Sequence, residues 1–111
     1  MSRPVPAPGH AAPIQHVVVF RWQPTATPDV GRLARALTDF VATLDGVLTY
    51  GCGPDIGLRD TNDDFAVVAT FADEQALTAY LDHPQHKQIT AEQVTPHLAE
   101  KHISQFRPSL H

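Results

Sequence analysis

The chain has 111 residues, 42% of them hydrophobic, with 12 acidic against 8 basic side chains and a net charge of −4. That describes one domain with one core, and it excludes nucleic acid as a main partner, because no basic face is available to meet phosphates. No apolar run approaches the ~20 residues that span a bilayer, no hydrophobic segment follows Arg3 to form a secretory signal, and the lone Cys52 cannot make an internal disulfide, so a cytoplasmic, non-membrane protein is expected.

Residues 1–13 carry Pro4, Pro6, Pro8 and Pro13 among small residues, the composition of a disordered, solvated tail. The folded domain is expected over 14–107, with a short C-terminal tail over 108–111. Gln15 to Trp22 is β-branched and aromatic, which predicts a strand. His16, Val18, Phe20 and Trp22 share one of its faces, and Val17, Val19 and Arg21 the other. A helix is predicted next, capped by Thr27 with Pro28 in its first position. Its apolar stripe is Val30, Leu33, Ala34, Leu37, Phe40, Val41 and Leu44, and Gly46 is the expected stop.

A weaker second strand is predicted over 47–53 and a third over Phe65–Phe71. Asp73 caps a second helix running to Leu81. Pro84 disfavours helical geometry at His83, so that helix ends there. A short helix restarts at Pro84 and runs to a break at Pro96, and the last strand is predicted over Lys101–Arg107.

The order β-α-β-β-α-(α)-β is that of a ferredoxin-like α+β unit, an antiparallel sheet with its helices on one face. The first and third strands are apolar on both faces, whereas a sheet with one solvated face alternates apolar and polar. A second copy of the chain is the expected cover, which predicts a homodimer packed sheet against sheet.

Tyr80-Leu81-Asp82-His83-Pro84-Gln85-His86 places a phenol and two imidazoles within one short segment. An imidazole titrates near neutral pH and can take a proton. A phenol can donate to a carbonyl oxygen as negative charge develops there. Abstraction of a proton beside a carbonyl needs both roles. The same residues also have plain structural readings: His83 and His86 flank a helix start with free backbone N–H groups, Tyr80 can be a core residue, and His16 can be satisfied by backbone. His83, His86, His97 and His102 raise a metal site, but no cysteine or carboxylate cluster completes a shell, so no metal is expected. Cys52 reads as a small buried thiol. Gly51, Gly53 and Gly57 lack the lysine and the context of a phosphate loop.

With these elements in view, the chain resembles the stress-responsive dimeric α/β barrel (Dabb) family. The resemblance rests on His16 to Phe20, Gly46-Val47, Tyr50-Gly51, Phe65 to Phe71 and above all the Tyr80 to His86 segment. It implies a dimeric α/β barrel. The family includes plant polyketide cyclases of the olivetolic acid type, which close a ring by aldol condensation, as well as a plant hydroxynitrile lyase and stress-associated proteins. In the cyclases, the positions of Tyr80 and His86 form the catalytic pair, and that of His16 polarises or lines the same pocket. A further cyclase histidine falls where this chain has Phe65, and aromatic pocket residues fall at Ala34 and Leu37, so a different substrate is implied.

The leading expectation is a cofactor-independent lyase, cyclase or isomerase acting on a small carbonyl or polyketide-like substrate. His86, Tyr80 and His16 carry the acid–base chemistry, and Leu33, Leu37, Val67 and Phe65 line an apolar pocket. The competing expectations are a non-catalytic dimer that binds a small ligand, and a cofactor-free monooxygenase.

Overall fold

A computed structural model describes residues 12–109. Most of the predicted N-terminal tail, and the last two residues of the C-terminal one, lie outside the described residues. Four strands, β1 (Ile14–Trp22), β2 (Val47–Pro54), β3 (Phe65–Phe71) and β4 (Leu98–Phe106), form one antiparallel sheet in the order β2-β3-β1-β4. Helices α1 (Val30–Val41), α2 (Glu74–Asp82) and α3 (Pro84–Ile89) follow β1 and β3. This is the ferredoxin-like α+β arrangement.

Alternation along the two central strands sets the core. On β1, Ile14, His16, Val18 and Phe20 are buried, and on β3, Phe65, Val67, Ala69 and Phe71. Leu33, Leu37, Phe40 and Val41 of α1 and Leu77 and Tyr80 of α2 complete that core. The opposite face is only partly covered. Val17, Val19 and Ala66 are half-buried and Val68 is 46% exposed. Apolar side chains thus stand on both faces of the central strands, as the sequence pattern requires.

Several boundaries differ from the sequence expectation. Asp29, not Thr27, caps α1: its Oδ1 accepts from the Arg32 N–H at 3.0 Å. A carboxylate placed three residues before an amide is a strong cap, and Pro28 therefore precedes the helix. At the other end α1 stops at Val41, before Leu44 and Gly46. The Thr43 and Leu44 amides bond back to the Phe40 and Val41 carbonyls, tightening the final turn, and the Thr43 hydroxyl also donates to the Phe40 carbonyl at 2.6 Å. Gly46 serves the next turn instead. It sits at φ +81°, and a Cβ there would stand 2.6 Å from the Ala76 Cβ. Its carbonyl accepts from Ala72 N–H at 2.8 Å, tying β2 to the start of α2.

Asp73 caps α2 as expected, accepting from Ala76 N–H at 2.8 Å. His83 is extended, and its Nδ1 accepts from Gln85 N–H at 3.0 Å, so the imidazole is the N-cap of α3. The helix then widens into a π-helical turn at Thr90–Val94 and tightens into a 3₁₀ turn at Thr95–His97. Pro96 does not break the chain there, because it sits in the first turn of that segment, where an amide is not needed. Strand β4 begins at Leu98, three residues earlier than expected. Leu98-Ala99-Glu100 has little β character of its own, but pairing of Leu98 with Trp22 beyond an irregularity in β1 recruits it to the sheet.

Candidate active site

Three elements place the predicted polar residues around one cavity. His16 projects from β1 on the helix-facing side and is 2% exposed. Tyr80 lies in the last full turn of α2, also 2% exposed. His86 is carried by α3, whose start is fixed by Pro84 and the His83 cap. The Tyr80 and His86 ring centroids are 4.5 Å apart, and Tyr80 meets His16 edge-on at 6.0 Å. All three line a cavity of about 100 Å³. Its other walls are mostly apolar: Val18 and Phe20 of β1, Val67 of β3, Leu37 of α1 and Ile103 of β4.

Burial tunes each group. The His16 imidazole is held below its ordinary value first by burial and then by His86. His86 is likewise lowered, mainly by burial, with smaller contributions from Lys101 and His83. A hydrogen bond with the Leu81 backbone opposes the shift. Both rings are therefore neutral at pH 7 and free to accept a proton. The Tyr80 phenol is pushed up to about 12, chiefly by burial. It remains a hydrogen-bond donor at neutral pH.

Neighbours orient the donors. The Gln105 amide nitrogen lies 3.1 Å from His16 Nδ1. With that amide donating, the ring proton of neutral His16 sits on Nε2. Tyr50 of β2 lies with its hydroxyl 2.8 Å from that of Tyr80. Either hydroxyl can donate in this bond, which favours the ionised form of Tyr80 and opposes the effect of burial on it. With Tyr50 donating, the Tyr80 proton is left for another acceptor. Phe40 backs the group, with its ring 5.9 Å from Tyr80 and 4.8 Å from His83.

Of the four apolar residues expected to line the pocket, Leu37 and Val67 do so. Leu33 does not, because it is wholly buried in the core. Phe65 does not either. It stacks on Phe20 at 6.0 Å and borders a separate open groove of about 410 Å³ between Val19, Ala66 and the loop carrying Asp55 and Asp63. That groove is larger, but no histidine or tyrosine lines it. Cys52 lies half-buried with its thiol pushed up by burial, and is not part of the cavity wall. Among the described residues, no three His, Cys, Asp or Glu side chains converge as metal ligands would.

Three contributors went unseen in the sequence: Tyr50, Lys101 and Gln105. Period-two alternation would have placed Lys101, Ile103 and Gln105 on one face of β4. Which face that is depends on the pairing of Lys101 with Phe20 and of Gln105 with His16.

The chain is a small α+β protein of ferredoxin-like fold, with a histidine–tyrosine cavity between sheet and helices. Residues 14–106 match the stress responsive A/B barrel domain model, and the chain belongs to the Dabb family. A dimeric ferredoxin-like protein of unknown function from Thermobifida fusca is 38% identical. The match covers 88% of this chain and 92% of that one, with a TM-score of 0.79. A Dabb family protein from Mesorhizobium loti is 24% identical over 88% of this chain and 98% of its own, with a TM-score of 0.64. The hydroxynitrile lyase from Passiflora edulis shares the fold, with a TM-score of 0.73 at 12% identity over 89% of this chain and 95% of that one. No functionally curated protein matches the chain. Among the described residues, no helix is long and apolar enough to cross a membrane.

Proposed function

We propose that the protein is a cofactor-independent lyase, cyclase or isomerase that moves a proton beside the carbonyl of a small substrate. The observation that carries this reading is the convergence of His86, Tyr80 and His16 on one largely apolar cavity. Neutral His86 takes the proton from the carbon next to the carbonyl. The electron pair moves to the carbonyl oxygen, which receives hydrogen bonds from the Tyr80 hydroxyl and His16 Nε2–H. The His86 imidazolium then returns the proton to the rearranged product or to its leaving group. One relative that shares the fold is a hydroxynitrile lyase, so the architecture accommodates carbonyl chemistry.

A cavity of about 100 Å³ suits a carbonyl compound of a few carbons rather than an extended polyketide. Its size also gives weight to the second reading, a non-catalytic site for a small ligand, because drug-sized pockets run to roughly 300–1,000 Å³. Turnover separates the two. Small ketones, β-keto esters and cyanohydrins are screened for cleavage, ring closure or isomerisation. His86→Ala is expected to abolish any activity found, and Tyr80→Phe to reduce it roughly a hundredfold, both with an unchanged circular dichroism spectrum. Full activity in both variants would rule the assignment out.

The protein is also proposed to act as a homodimer, its uncovered sheet face meeting that of a second copy through Val17, Val19 and Val68. The Thermobifida relative is itself described as dimeric. A reducing compartment such as the cytoplasm suits its single cysteine.

A further inference from the structure

The chain carries a net charge of −4, yet among the described residues no carboxylate-bearing residue lines the cavity and one basic residue does, Lys101. Lys101 stands on β4 opposite Phe20, on the face of the sheet that carries His16. Its neighbour Glu100 alternates to the other face, where it lies 3.8 Å from the Arg21 guanidinium. Among the described residues, Lys101 takes part in no ion pair and no side-chain hydrogen bond. His16 and His86 are neutral at pH 7, so among the described residues Lys101 supplies the only formal charge in the cavity lining.

We infer that the site takes an anionic substrate, a short-chain keto acid whose carboxylate pairs with Lys101 while its carbonyl faces Tyr80, His16 and His86. This deepens the acid–base reading above and rests on it. An ammonium on a flexible stem at an exposed edge strand can reach a carboxylate left at the cavity mouth. The apolar walls bury the carbon chain between the two polar ends. Charge-assisted hydrogen bonds are the strong ones, and one such contact is enough to discriminate an acid from its ester. Lys101 also disfavours a proton on His86, consistent with its field reaching the base.

The test uses two probes of nearly equal shape, acetoacetate and methyl acetoacetate, titrated at neutral pH into the full chain. The ring resonances of His16 and His86 report occupancy. Acetoacetate is expected to bind about tenfold more tightly than the ester. In Lys101→Met, which keeps the apolar stem, that preference should vanish, and Lys101→Arg should retain it. Equal binding of the two probes to the unsubstituted protein, or a preference that survives Lys101→Met, would overturn the keto-acid inference while leaving the carbonyl site standing. If neither probe moves the histidine resonances, both the inference and the site reading fail together.

Discussion

His86 sits where burial strips water from its ring, and its basicity falls accordingly. His16 is lowered by the same cause. For both groups the folded value lies below the ordinary 6.5. In the window between the two values, the unfolded chain binds more protons than the folded one. Stability from these histidines is thus fully present above the ordinary value and is lost as pH falls through the window. The thermal midpoint is expected to drop as pH falls below the ordinary 6.5. The fall should be shallower in a His16→Gln, His86→Gln double variant, as calorimetry across that range would show. Catalysis by neutral His86 follows the same sign, with activity lost on the acid side. Tyr50 acts through Tyr80 as a positioning residue. Because its hydrogen bond lowers Tyr80, Tyr50→Phe should make the phenol harder to ionise, read from phenolate absorbance, and lower kcat more than it changes KM. His86, Tyr80 and His16 could be singled out because their residue types announce acid–base chemistry. Tyr50 and Lys101 could not, since each enters through strand pairing, Tyr50 beside Ala69 and Lys101 beside Phe20.

At the scale of elements, side-chain caps decide where helices begin. Asp29 holds the first amides of α1, so Asp29→Ala should cost about 1 kcal/mol and Thr27→Ala close to nothing, measured by urea unfolding. Pro28 points to Thr27 as the cap because proline is common in the first helical position. At Asp73 no proline competes, and the cap is legible from the residue type alone. Strand β3 was legible to the residue, its alternation of Phe65, Val67, Ala69 and Phe71 being set by local pattern. The start of β4 was not, because Leu98 to Glu100 are held by β1 rather than by their own propensity. The Gly46 turn likewise differs from the helix end that a glycine at this point suggests. Its true constraint is the Ala76 methyl group 2.6 Å from any added Cβ, a contact between segments far apart in the chain. Gly46→Ala combines that clash with a positive φ, so a loss of about 1–3 kcal/mol is expected in the same unfolding assay.

For the whole molecule, the doubly apolar central strands speak to assembly as well as to fold. Val68 is 46% exposed in one chain, beside half-buried Val17 and Val19. If that face meets a second copy, Val68→Asp should shift the sedimentation coefficient from dimer to monomer. An unchanged sedimentation coefficient would place the interface elsewhere. Sheet order and helix placement then leave the cavity on the opposite side, between sheet and helices, where each copy holds its own His16, Tyr80 and His86. The central claim is that these three groups move a proton beside a carbonyl. It is tested most directly without knowing the natural substrate, by following deuterium uptake at the α-carbon of a small ketone such as butanone in heavy water by proton NMR. Exchange above the buffer rate is expected with the unsubstituted protein, lost in His86→Gln and much reduced in Tyr80→Phe. Exchange at the buffer rate, or equal exchange in all three proteins, would contradict the claim.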